Sequence, residues 1–170
     1  MNKKNILINA LVIFLTSCLV HFLYTLFPSF ITSIFAPVNE SIFEHIKMLF
    51  TASITSSVIT DIILKRKISL FFIFNKALLS IIILLLLYLP CYYFFGEHLL
   101  LTFIILFLTL IISEIISLNI IQNNFPYKNL VGLILIIFSY FVLAYLTYHP
   151  LKTFLFYDPV TKGFGIKKDK

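Results

Sequence analysis

Apolar residues in this chain come in long blocks, not in the short alternations of a soluble fold. Five blocks cover residues 6–27, 42–64, 77–95, 99–121 and 130–148. A helix needs about 20 apolar residues, rising roughly 1.5 Å each, to cross the hydrocarbon of a bilayer. Each block has that length or close to it, so the pattern predicts five transmembrane helices. The breaks between them are short, which makes sequential helices antiparallel. The fold expected is all-α: a polytopic membrane helix bundle with a five-helix domain over residues 1–150 and a tail over 151–170.

Composition agrees. The chain has 170 residues, of which 61% are hydrophobic and 12% charged, and a mean hydropathy of +1.06, well outside soluble averages. The net charge of +6 does not indicate nucleic acid, because no basic face is interleaved with exposed aromatics. Most of the excess lies just outside the apolar blocks. Lys3, Lys4, Lys65, Arg66, Lys67, Lys76 and Lys128 fall on one side of the expected bundle, while breaks 28–41 and 96–98 carry no cation. The positive-inside rule then puts the amino terminus in the cytoplasm and the carboxyl terminus outside, and the richness in Ile, Phe, Lys and Asn fits the bias of an AT-rich bacterial genome. Lys152, Lys162, Lys167, Lys168 and Lys170 in the tail run against that orientation.

Cys18 and Cys91 are isolated within apolar blocks and read as small packing residues. Leu15-Thr16-Ser17-Cys18 resembles a lipoprotein cleavage box. The apolar block continues past it to Phe27, however, so the segment is expected to remain as a first helix.

All four histidines gather at the expected outer face: His21 late in the first block, His45 at the start of the second, His98 in the third break and His149 at the end of the fifth. Glu40, Glu44 and Glu97 join them, and the tail adds Asp158. Ionisable groups near hydrocarbon are costly and face a cavity or a partner. Expected to converge there are His21, Glu40, Glu44, His45, Lys47, His149 and Asp158, with Glu97 and His98 as further candidates; Glu114 is another candidate, placed toward the cytoplasm.

Helical spacing sets Glu44, Lys47, Thr51 and Thr55 in one stripe, with His45 on the side of Ala52 and Ser56. A structural account competes, since Ser41-x-x-Glu44 is a capping box and Glu44 with Lys47 is an i, i+3 pair. Asp61 lies four residues before Lys65, which suits a similar pair. Glu114 has no basic neighbour in its own helix; if buried, it is protonated or paired across the bundle.

The run Pro37-Val38-Asn39-Glu40-Ser41-Ile42-Phe43-Glu44-His45-Ile46-Lys47, with Asp158-Pro159-Val160-Thr161 and Gly165-Ile166, resembles a family of small bacterial integral membrane proteins known only as a domain of unknown function. The resemblance spans nearly the whole chain and implies a membrane protein without implying an activity. Lys162 stands where that pattern leads one to expect glycine.

Three functions stay open. One is an outward-facing polar site for a metal, a lipid head group or a small solute. Zn²⁺ is the metal that histidine and carboxylate would suit, although no H-E-x-x-H spacing is present. The second is a non-catalytic accessory or packing protein, and the third an intramembrane hydrolase using glutamate and histidine. The tail, rich in aromatics and too short to recross the bilayer, is expected to fold back over the outer cluster, with Asp158 meeting Lys47 or a histidine.

Overall fold

The computed structural model describes residues 3–63, 69–96, 98–119 and 126–166. Helices α1 (Lys3–Leu26), α3 (Ile42–Ile63), α4 (Leu70–Phe95), α5 (Leu99–Asn119) and α6 (Lys128–Tyr148) are each long and apolar enough to cross a membrane. A six-residue helix α2 (Phe30–Phe35) lies in the α1–α3 link, and the tail holds a 3₁₀ turn (Phe154–Phe156) and two short strands, β1 (Tyr157–Asp158) and β2 (Gly163–Phe164). The five expected spans are present, and the block ends placed at 64 and 121 lie outside the described residues.

The third span starts earlier than its sequence block. Ser69 caps α4 by accepting from the Phe72 N–H at 3.3 Å, and the helix then runs through Asn75 and Lys76. Lys76 is therefore a buried helix residue and not a loop cation. Helix α2 has no counterpart in the hydrophobic pattern, in which 28–41 is a plain break. Ser29 and Thr32 close a reciprocal capping box around its first turn, which offsets the unpaired N–H groups of so short a helix.

Helix α3 is central. Its spanning window is 56% buried, against 17% for α6 and 22% for α1. It packs on α1 and α4, α5 joins those two, and α6 leans on α4 and α2. Being surrounded by protein, α3 can carry polar side chains that a lipid-facing helix could not. Glu44, Lys47 and Thr51 are buried as the stripe requires, but Thr55 is exposed. One apolar cluster joins Ala10, Ile13, Leu49, Ala52 and Leu110 across α1, α3 and α5; a second joins Phe50, Phe74 and Ile136 across α3, α4 and α6. Lipid is as apolar as these side chains, so such contacts hold helices by close packing and not by exclusion of water. Polar contacts between helices therefore matter more to the arrangement than they would in a soluble bundle.

The tail returns onto the end of the bundle where α1 and α6 finish and α3 begins, called here the tail end. Phe156 is buried and stacks on Phe43, ring centroids 4.4 Å apart. Asn39 donates from Nδ2 to the Gly165 carbonyl at 3.0 Å. Asp158 pairs with Gly163 across an antiparallel β1–β2 ladder. Lys162, in the turn between the strands, has φ 53°, the left-handed region that favours glycine.

Candidate metal centre

Two polar constellations form at the tail end, and they differ in kind. The first is closed. Lys47 Nζ reaches Glu44 Oε2 at 2.5 Å, the Ser33 carbonyl at 2.8 Å and Thr147 Oγ1 at 2.9 Å. An ammonium has three protons, and each has an acceptor. Thr147 in turn donates to Glu44 Oε1 at 2.9 Å, and the Val38 N–H donates to Oε2 at 3.1 Å. Both charged side chains are almost fully buried, so the pair is held by α3, α6 and the α2 segment together, with no group left to offer a ligand. Thr51 extends this seam, donating to the Phe35 carbonyl at 2.8 Å and accepting from Tyr140 at 3.2 Å.

The sequence capping box is half made. Ser41 Oγ accepts from the Glu44 N–H at 3.4 Å, but the Glu44 carboxylate turns inward to Lys47. The Ser41 N–H goes instead to Asn39 Oδ1 at 3.0 Å. That Asx turn, which follows the extended Ala36 by a few residues, points Glu40 away from Lys47 and toward the histidines.

The second constellation is open. His21 from α1, Glu40 from the link and His45 from α3 bring three ligand atoms within 4.8 Å of one another. Glu40 Oε1 is 3.7 Å from His21 Nε2, and Oε2 is 3.5 Å from His45 Nε2. The two imidazoles lie side by side, centroids 5.5 Å apart. His45 Nδ1 lies 2.9 Å from the Ser41 carbonyl. A carbonyl only accepts, so Nδ1 carries the proton, and in the neutral ring Nε2 is a lone pair aimed at a carboxylate. Two acceptors face each other at a distance too long for a good hydrogen bond. Positive charge between them, a second ring proton or a cation, resolves the conflict.

The spacing suits a metal. Ligand atoms about 2.0–2.2 Å from a tetrahedral Zn²⁺ stand roughly 3.3 Å from each other. Fixing Nδ1–H on a backbone carbonyl is the outer contact that orients a metal-bound histidine. Two imidazoles and one carboxylate leave a fourth place open, as in catalytic zinc sites.

Glu40 and His45 also border a cavity of about 610 Å³. Its walls are apolar, from Met48 on α3, Leu84 and Tyr88 on α4, and Leu106 on α5. His98 and Thr102 add polar groups at its rim, and Phe154, Tyr157 and Val160 of the tail roof it.

The remaining candidates sit elsewhere. His149 is exposed at the end of α6, its ring 4.8 Å from that of Tyr145, and does not join His21 or Glu44. Asp158 is buried but serves its own turn, accepting from the Val160 N–H at 3.0 Å and the Thr161 hydroxyl at 2.5 Å. Its carboxylate therefore holds the hairpin instead of meeting Lys47 or a histidine. Glu97 and Lys65 lie outside the described residues. Cys18 and Cys91 are free thiols.

Glu114 is far from this face. It forms a buried ion pair with Lys76 and accepts from Asn9 Nδ2 at 3.3 Å. Of the two outcomes the sequence left for it, pairing across the bundle is the one realised. Lys76 was missed because Asn75-Lys76 read as the end of a loop. The five apolar residues Leu70–Phe74 before it were the signal that the helix had already begun.

The architecture is that of a multi-pass membrane protein with two ion pairs, Glu44–Lys47 and Lys76–Glu114, buried among its helices. Residues 1–166 match the model of a family of unknown function, DUF6512, and the chain belongs to that family. Neither a curated protein nor a solved structure matches it.

Proposed function

We propose that this protein is a membrane-embedded metal-binding protein whose centre is His21, Glu40 and His45, with Zn²⁺ the ion its donors fit best. The observation that carries the reading is the opposed pair of acceptors, His45 Nε2 and Glu40 Oε2, 3.5 Å apart, with the ring oriented by the Ser41 carbonyl behind it. By this reading Glu44 and Lys47, saturated by each other and by Thr147, are scaffold. The packing role weighed from the sequence thus applies to that pair and not to the histidines. A hydrolase would need a general base beside the metal. Glu40 is the only acid bordering the cavity among the described residues, and it is used as a ligand, so binding is the preferred function.

The site is assigned to the outer face of a bacterial cytoplasmic membrane. With Lys76 inside the bundle, six cations in and around the opposite end outweigh the cation-free breaks 28–41 and 96–98, which supports a cytoplasmic amino terminus although the five tail lysines run against it. Reporter fusions after Lys4 and Lys128 should read inside, and a fusion after Lys170 outside.

The test of the metal site is elemental analysis of protein purified without added chelator. Wild type should carry about one zinc per chain, and His45→Ala and Glu40→Gln close to none. Zinc retained equally in both variants, or none in a wild type given zinc, ends the proposal.

A further inference from the structure

The cavity beside the histidines has the form of a seat for one lipid chain. It follows α4 from Tyr92 to Leu84 and α5 from Leu99 to Leu106, so it runs about 12 Å down the bundle at 1.5 Å per residue. That stretch runs along the helices, which is also the direction of acyl chains in a bilayer. Its polar groups, Glu40, His45, His98 and Thr102, lie at or near the tail-end mouth, and its depth is lined by Met48, Leu84 and Leu106. A volume of about 610 Å³ falls within the range of pockets that enclose a small ligand. A water-soluble solute would leave the deep apolar part unmatched, and a plain hydrocarbon would leave the mouth unpaired.

Resting on the metal reading, we infer that the site binds an anionic lipid, one acyl chain in the cavity and a phosphate or carboxylate oxygen in the metal's open place. A zinc ion with one glutamate keeps net positive charge, which favours an anionic head over a neutral one. The tail would then act as the cover: Phe154, Tyr157 and Val160 line the cavity at the tail end, where aromatic rings suit the interface.

Native mass spectrometry of the zinc-loaded full chain reads both parts at once, because bound zinc and bound lipid add different masses. The probes are lysophosphatidic acid, lysophosphatidylcholine and inorganic phosphate. Lysophosphatidic acid should bind at one site at least tenfold more tightly than either of the others. Leu85 and Leu99 both line the cavity: Leu85→Trp and, as a milder variant at an exposed position, Leu99→Trp should weaken it about tenfold while zinc content stays at the wild-type level. Equal binding of the two lysolipids overturns the anionic head. Inorganic phosphate binding as tightly as lysophosphatidic acid, or indifference to both tryptophan variants, overturns the chain seat and leaves a free-phosphate site. A zinc-free wild type that still selects lysophosphatidic acid, and loses it in Leu85→Trp, sinks the metal reading and the head-group contact with it.

Discussion

Lys76, near the start of α4, and Glu114, near the end of α5, form an ion pair whose side chains are both more than nine-tenths buried. Removing one partner strands the other charge inside the bundle. Lys76→Met or Glu114→Leu alone should therefore cost about 3–5 kcal/mol, whereas the double variant should recover most of it. Thermal unfolding of the four proteins in one detergent measures the cycle. A double variant as unstable as the sum of the singles would mean that the pair is not coupled.

Thr147 is the hinge of the closed cluster, accepting from Lys47 and donating to Glu44. Thr147→Val keeps the shape and removes both bonds, at a cost of about 1–3 kcal/mol. Zinc content should not change, because His21, Glu40 and His45 do not touch this residue. A loss of zinc with little loss of stability would contradict the division into scaffold and site.

Lys162 adopts φ 53° in the turn of the tail hairpin. Glycine takes that conformation without strain, so Lys162→Gly should stabilise the folded tail by up to about 1 kcal/mol. Limited proteolysis between residues 151 and 166 should slow accordingly. Faster cleavage would show that the lysine side chain holds the turn.

Metal ligation needs neutral imidazoles, so protons compete with zinc. Binding should be present at about pH 7 and weaken as the pH is lowered from there to about 5, because a proton takes the lone pair that would hold the ion. Isothermal titration at several pH values should show proton release on binding, greater as the pH is lowered through that interval. Zinc affinity constant across that interval would exclude histidine as a ligand.

The spans were legible because the bilayer imposes a length that sequence displays directly. Leu70–Phe74 escaped because Asn75 and Lys76 interrupt the apolar count, and nothing local shows that Glu114, in another helix, neutralises the lysine. The gathering of histidines and acids at one end was readable from topology, but its internal pairing was not. Glu44 and Glu40 are four residues apart, and only the Asx turn at Asn39–Ser41 sends one to Lys47 and the other to the imidazoles. His149 looked equivalent to His21 by its position along the chain; the rotation of α6 about its axis turns it outward, and rotation is set by tertiary contacts. Phe43 gave no sign that it would receive Phe156, because stacking between segments over a hundred residues apart has no local pattern.

Gly132 shows what fixes that rotation. A Cβ there would lie 2.2 Å from the Phe71 backbone nitrogen, so the start of α6 rests directly against the main chain of α4. At its other end Thr147 is caught between Glu44 and Lys47. Two small residues fifteen positions apart thus anchor a helix that otherwise shows most of its surface to lipid. Between those anchors, the lipid-facing positions Ile134, Phe138, Phe141 and Tyr145 are free to exchange one apolar residue for another. Such drift would alter how the protein sits among its lipids and leave the histidine centre undisturbed.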